Sequence, residues 1–253
     1  MLRDALLRFR NGEISLEEAS RLIEGLRIET VGDIAQLDLG RAVRCGIPEV
    51  VLGEGKEADQ LAEIAIRYTR ETGRCVVTRI SPAQYDVLEE RARAQGLTTQ
   101  YNKAARVVVL SSGVLTGPKH GIVGIITAGT SDIGVAEEAR IIAEEMGCEV
   151  KTAYDVGAAG IHRLFPALRD LLDAHVFIVA AGREGTLPAV VAGLVDRPVI
   201  GVPVSSGYGY MGAGRAALAS MLQSCSVLVV VNIDAGFTAG AFAARIAQMV
   251  APE

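Results

Sequence analysis

The second half of the chain carries five apolar runs, IVGIITA (122–128), CEVKTA (148–153), HVFIVAA (175–181), PVIGVPV (198–204) and VLVVVNI (227–233), separated by segments with helical spacing. A strand with one face in water alternates apolar and polar residues, because successive side chains point to opposite faces. These runs are continuous instead, so both faces of their sheet are covered, as in parallel sheets layered between helices. The expected architecture is α/β, a doubly wound parallel sheet. Ligands of such sheets sit outside the carboxyl ends of the strands, near a topological switch point.

The first half reads as a smaller α/β unit. Two short helices span roughly the first 28 residues, the second capped by Ser15 with Glu18 three positions on. A strand (EVVLGEG), a helix with apolar spacing at Leu61, Ile64, Ala65 and Tyr68, a strand (CVVTRI), a helix after Ser81-Pro82 and a strand (RVVVLSSG) follow. The glycine- and proline-containing stretch SSGVLTGPKHG is the best linker, which divides the chain into 1–118 and 119–253.

Half of the residues are apolar, enough for one large core or two modest ones, and the net charge is -5. That charge, without any Lys/Arg run, excludes a general nucleic-acid surface, so any anion must be bound locally. No apolar run reaches membrane-spanning length and the charged N-terminus has no signal-like core, so a cytoplasmic protein without a membrane partner is expected. Cys45, Cys75, Cys148 and Cys225 stand far apart, which fits neither a zinc site nor a disulfide framework.

Four loops leave strand ends with unusual residues. In the first, Gly129-Thr130-Ser131-Asp132, a glycine relieves crowding, two hydroxyls are offered, and Asp132 stands at a helix N-terminus with unpaired backbone N–H groups. Either the turn receives an anion or Asp132 merely caps its helix. The second, YDVGAAGIHR, carries Asp155, His162 and Arg163; the pair at its end either caps a helix or grips a phosphate. The third, AAGREGTLP, carries Gly182 and Glu184, and the fourth, VPVSSGYGYMGAGR, spaces Gly207, Gly209 and Gly212 as GxGxxG, with Asp234 ending a later strand. A dinucleotide fingerprint follows the first strand of its sheet directly, whereas this one lies near the end of the domain, so a flexible substrate loop is expected. Cys225, between a helix and the last strand, is either a small packed hydrophobe or a reactive thiolate. Arg41 and Arg44 are either surface charges or arms toward an anion.

In their order these loops resemble aminoimidazole ribonucleotide carboxylases and mutases: GTSD is similar to their GSxSD turn, GIHR to their AHR segment and TLPAVVAG to their HLPG region. Those purine enzymes carry a proton-relaying histidine before Leu-Pro, where this chain has Thr186. The whole length resembles more closely the LarB family, pyridinium-3,5-biscarboxylic acid mononucleotide synthases of nickel-pincer nucleotide synthesis. The matching blocks are LDLGRAVRCGIPEVVLGEGK, YDVGAAGIHR, GREGTLPAVVAGLVDRPVIGVP and SCSVLVVVNIDAGFTAG.

That resemblance implies a flavodoxin-like catalytic domain in a homo-oligomer, probably an octamer, with magnesium and carbon dioxide or bicarbonate acting on nicotinic acid adenine dinucleotide. It implies that Cys225 adds to C4 of the pyridinium, making C5 nucleophilic toward carbon dioxide, and that Glu184 then serves as, or positions, the base for the C5 proton. Hydrolysis of the phosphoanhydride releases AMP, with Asp132 and Asp155 as candidate metal or water-orienting groups and the metal ligands themselves unassigned. The Gly129–Asp132 turn then cradles the mononucleotide phosphate or ribose, completed by Arg163 and the glycines of the fourth loop. The alternatives are a purine carboxylase or mutase, and a nucleotide sensor without catalysis.

Overall fold

The computed structural model describes residues 2–113, 117 and 119–251. Residues 114–116 and 118 of the expected linker therefore lie outside the described residues. The chain divides into two compact units, residues 1–101 with 107–115 and residues 102–106 with 116–253. The short segment 102–106 thus belongs to the second unit, although it lies between two strands of the first.

In the first unit, α1 (Leu2–Arg10) and α2 (Leu16–Glu24) precede a hairpin of β1 (Ile28–Val31) and β2 (Ala35–Asp38), which pair antiparallel. Ser15 and Glu18 form the expected reciprocal cap on α2. Then come α3 (Arg41–Cys45), β3 (Val50–Leu52), α4 (Ala58–Thr72), β4 (Arg74–Thr78), α5 (Pro82–Ala94), β5 (Thr98–Asn102) and β6 (Val107–Ser111). The strands line up in the order β3-β4-β6-β5, with β3 parallel and β6 antiparallel to β4. Helix α4 buries Leu61, Ile64, Ala65 and Tyr68, the stripe expected from its spacing. The hairpin, α3 and β5 are elements not anticipated from sequence. Their strands are short and expose charged or polar residues, so they lack the apolar run that marked the others.

The second unit comprises β7 (Ile122–Thr127), α6 (Ile133–Glu145), β8 (Glu149–Ala153), α7 (Leu164–Asp170), β9 (Val176–Ala181), α8 (Thr186–Ala192), β10 (Val199–Pro203), α9 (Arg215–Leu222), β11 (Val229–Val230) and α10 (Gly236–Val250). The sheet order is β11-β10-β9-β7-β8 and each neighbouring pair is parallel. Taken from its first strand, this is the 2-1-3-4-5 order of a flavodoxin-like sheet. One face is covered by the alanines of α6 and α10, including Ala136, Ala139, Ala143, Ala239, Ala243 and Ala247. The other is covered by Leu164 and Leu168 of α7, Leu187 and Val191 of α8, and Ala217 and Met221 of α9.

Full coverage holds for the inner strands β7, β9 and β10, which are buried almost throughout. It fails at the edges. Strand β8 leaves Glu149 and Thr152 exposed, and the long run VLVVVNI yields only the two paired residues of β11, with Val227 93% and Val229 52% exposed. An edge strand has one strand neighbour and less helix above it, so apolar composition alone overstated how far this run is buried.

Beside β8, Glu137 of α6 accepts from Arg140 at 2.7 Å, from Asn102 at 2.5 Å and from the Tyr154 hydroxyl. The Arg140 guanidinium, aided by Tyr154 and Asn102, holds the Glu137 carboxyl down to about 2, from an ordinary 4.5. A depressed carboxyl stabilises the fold above its unfolded value, and that contribution is lost as pH falls through its folded value. Glu137→Gln is therefore expected to cost about 1–3 kcal/mol at pH 7 and to flatten the loss of stability between about pH 4.5 and pH 2. Urea unfolding of both proteins across that range measures it; parallel acid limbs would show that Glu137 is not the titrating group.

Candidate active site

The loops after β7, β8, β9 and β10 converge at the carboxyl ends of the sheet on a cleft of about 410 Å³. It lies at the switch point, where α6 leaves β7 toward one face and α8 leaves β9 toward the other. Its wall includes Gly129, Ser131, Asp132, Arg163, Arg183, Glu184, Thr186, Ser206, Gly207 and Tyr208.

Asp132 holds these loops together. Its side chain is buried, with the residue only 3% exposed, and one oxygen accepts the Gly129 N–H at 2.9 Å while the other accepts the Ser206 hydroxyl at 2.8 Å. The backbone of Gly182 donates as well. One carboxylate thus ties together the loops after β7, β9 and β10. Burial pushes its pKa above the ordinary carboxylate value, although the Ser206, Gly129 and Gly182 donors pull the other way. The turn that opens α6 is a short 3-10 helix, Thr130–Asp132. Asp132 bonds back to the residue before that turn and makes no side-chain cap on α6, so the Gly129 N–H is already used and the turn's remaining donors face the ligand problem without it.

Two glycines explain how the third and fourth loops approach each other. A Cβ on Gly207 would lie 2.0 Å from the Gly182 carbonyl oxygen, and one on Gly182 would lie 2.2 Å from the Ser206 hydroxyl and 2.9 Å from Asp132. Only glycine fits either position. Gly209 and Gly212 stand farther along the loop and do not line the cleft. The loop's GxGxxG spacing therefore serves close backbone packing at its first glycine, and Asp234 accepts the Ser205 N–H at 2.8 Å, steadying the same loop from the next strand end.

The charged groups are two guanidiniums and one exposed carboxylate. Arg163 reaches the wall from the 3-10 segment Ala158–Arg163 and pairs with Asp155 at 3.1 Å, both side chains largely exposed. Asp155 itself stands just outside, with φ of 58° and its N–H donated to the Thr127 hydroxyl. His162 is exposed and, like Thr130, is not part of the wall. The Arg183 guanidinium lies over the Tyr208 ring, 4.1 Å from its centre. Glu184 follows it, exposed in the cleft, and Gly185 turns the chain into α8 with φ of 70°. Ser206, Arg183 and Tyr208 were not singled out from sequence: a serine, an arginine and a tyrosine in glycine-rich loops have no spacing that distinguishes them from surface residues.

Cys225 is not in the cleft of its own chain. Helix α9 runs from the carboxyl end of the sheet back to the amino end, Cys225 follows it, and β11 then sets out in parallel with β10. Ser226, its neighbour, comes near Gly193 at the far end of α8, the helix whose first turn lines the cleft. The cysteine is exposed there, beside exposed Leu222, Val227 and Val229. Among the described residues no group of three His, Cys, Asp or Glu side chains comes together as a metal site. Asp132 is occupied by its donors and Asp155 by Arg163, so the donor set does not form a protein cage for magnesium. No helix of the described residues is long and apolar enough to cross a membrane.

Residues 28–112 match the LarB/PurE-like N-terminal domain and residues 122–253 match AIR carboxylase. An uncharacterized protein of Methanocaldococcus jannaschii is 45% identical over 98% of both chains. The chain belongs to the LarB family. Its second unit is also similar to N5-carboxyaminoimidazole ribonucleotide mutases. That of Methanocaldococcus jannaschii is 36% identical over 48% of this chain and 76% of its own, and that of Pyrococcus horikoshii 33% over 52% and 75%. This LarB-family chain is thus an enzyme of carboxylase and mutase type, with its cleft where a flavodoxin-like sheet places one.

The Asp132 arrangement makes a sharp prediction. Asp132→Ala strands the Ser206, Gly129 and Gly182 donors in a buried site and is expected to cost about 2–4 kcal/mol. Asp132→Asn keeps an acceptor and lets its amide donate to the Ser206 oxygen, so its cost is expected near 1 kcal/mol. Denaturant unfolding measures both; equal losses would mean that charge, and not the hydrogen-bond geometry, is what the site requires.

Proposed function

We propose that this protein carboxylates C5 of the pyridinium ring of nicotinic acid adenine dinucleotide and hydrolyses its phosphoanhydride. The products are pyridinium-3,5-biscarboxylic acid mononucleotide and AMP, for nickel-pincer nucleotide synthesis. The observation that carries this is a LarB-family cleft with two guanidiniums, Arg163 and Arg183, for an anionic nucleotide, beside a free-standing carboxylate, Glu184, and with no histidine among the described residues of its wall. Thr186 stands before Leu-Pro. A threonine hydroxyl neither gains nor loses a proton readily near neutral pH, so it cannot replace a histidine as acid and base, which weighs against the purine mutase reaction despite the similarity in sequence.

The chemistry follows from the electron-poor ring. A thiolate adds to C4, its electron pair entering the ring and leaving a neutral dihydropyridine with a nucleophilic C5. C5 bonds to carbon dioxide, a base takes the C5 proton, and the electrons of that C–H bond rebuild the aromatic ring as the C4–S bond breaks. Glu184 is the base, or positions it. The Gly129–Asp132 turn, Ser131 and Ser206 hold the ribose and phosphate, with Gly182 and Gly207 keeping the two loops close enough for that grip. Magnesium accompanies the phosphates of the substrate, and no step is assigned to it.

Cys225 supplies the thiolate. Because it and the cleft lie at opposite ends of one sheet, the thiolate comes from another copy of the chain in a homo-oligomer, such as an octamer. The exposed Leu222, Val227 and Val229 around Cys225 are apolar surface suited to such a contact.

Incubation with the dinucleotide, magnesium and labelled bicarbonate, followed by mass spectrometry, tests the reading. Label in the doubly carboxylated mononucleotide is expected together with AMP. Cys225→Ala and Glu184→Gln should each lose carboxylation, and co-expression of the two variants should restore about a quarter of it, the share of sites that pair an intact cleft with an intact cysteine. Normal carboxylation by Cys225→Ala would defeat the covalent step, and absence of any restoration would defeat the sharing of sites between copies. Turnover of N5-carboxyaminoimidazole ribonucleotide with the dinucleotide left intact would favour the mutase instead.

A further inference from the structure

We propose that the Tyr208 ring is the platform on which the pyridinium ring of the substrate stacks, and that the Arg183 guanidinium occupies that platform until substrate arrives. This rests on the function proposed above. Tyr208 lines the cleft, yet the residue is 71% exposed, so no core packing explains its ring. What meets that ring is a planar, delocalised cation, the Arg183 guanidinium, 4.1 Å from its centre. A pyridinium ring is also a planar, delocalised cation, and both are drawn to the negative face of an aromatic ring by the same quadrupole. That contact is therefore a chemical stand-in for the substrate's own ring.

The surroundings suit an exchange of one cation for the other. The backbone of Tyr208 is fixed on one side, since Gly207 packs against the Gly182 carbonyl. On the other side Gly209 takes φ of 97° with open space around it. Among the described residues no carboxylate pairs with Arg183, so its guanidinium is free to leave the ring and meet the phosphates that arrive on the same ligand.

The platform has a direction built into it. Addition of a thiolate at C4 turns the pyridinium into a neutral ring, and the cation–π part of the contact disappears with the charge. Tyr208 thus binds the ground state and is a binding residue, without a share in the chemical step. Its loss should raise KM and kcat together and leave kcat/KM near its original value.

Equilibrium binding of nicotinic acid mononucleotide, which has the pyridinium but no adenine, tests the proposal, with its borohydride-reduced neutral form and AMP as the other probes. Tyr208→Leu is expected to weaken the mononucleotide about five- to tenfold, Tyr208→Phe to stay within about twofold of the parent, and the neutral form and AMP to bind parent and Tyr208→Leu alike. Equal affinity of parent and Tyr208→Leu for the mononucleotide would overturn the platform while leaving the proposed reaction standing. A loss confined to AMP would assign the ring to adenine instead. A parent protein that binds neither the mononucleotide nor its reduced form would overturn both the platform and the reaction on which it rests.

Discussion

The carboxylate of Asp132 is the constraint on which the cleft depends. Loops at the end of a parallel sheet belong to different strands and have no ladder of their own, so something must set their spacing. Here one buried carboxylate takes donors from the loops after β7, β9 and β10. It costs desolvation, visible in its raised pKa, and is tolerated because its partners are backbone and hydroxyl groups that would otherwise lack acceptors. Gly182 and Gly207 are part of the same device, because a side chain at either would force apart the loops that Asp132 draws together. The turn that reads in sequence as an anion cradle is therefore first a clamp.

Much of the second unit could be inferred from its residues, because a buried parallel strand is written in one unbroken apolar run. IVGIITA, HVFIVAA and PVIGVPV became β7, β9 and β10, and the loops that leave them formed the cleft. The same criterion failed at VLVVVNI, since apolar composition records a need for burial without saying what supplies it. Among the described residues nothing covers Val227. In the first unit the β1–β2 hairpin went unseen for the opposite reason: IETV and AQLD are too short and too polar to stand out from loop.

The site was visible only as far as loops can be ranked by position. Arg163, Glu184 and Gly207 reached the wall because the strand ends that carry them do. Thr130 and His162 belong to the same loops and fell outside it, because one residue of rotation in a 3-10 turn re-aims a side chain by about 120°, and Gly209 and Gly212 stand farther along their loop. Ser206 and Tyr208 acquire meaning only through partners distant in sequence, Asp132 and Arg183, and no local spacing encodes a contact of that kind.

The distribution of chemistry in this cleft bears on how the proposed reaction is divided. Under that reaction its wall supplies cations for phosphates, an aromatic face for a ring and Glu184 for a proton, but among the described residues no cysteine. A single carboxylate suffices for removing a proton from a carbon already activated by an adduct and a new carboxyl group; it does not suffice to create the adduct. The nucleophile must then be brought in. An exposed cysteine at the far end of the sheet, bordered by apolar side chains that water would otherwise cover, joins the two requirements in one surface: burying Leu222, Val227 and Val229 against another copy would carry Cys225 with them. Assembly and covalent chemistry would then share a single driving force, and an isolated chain would hold its substrate without being able to activate it.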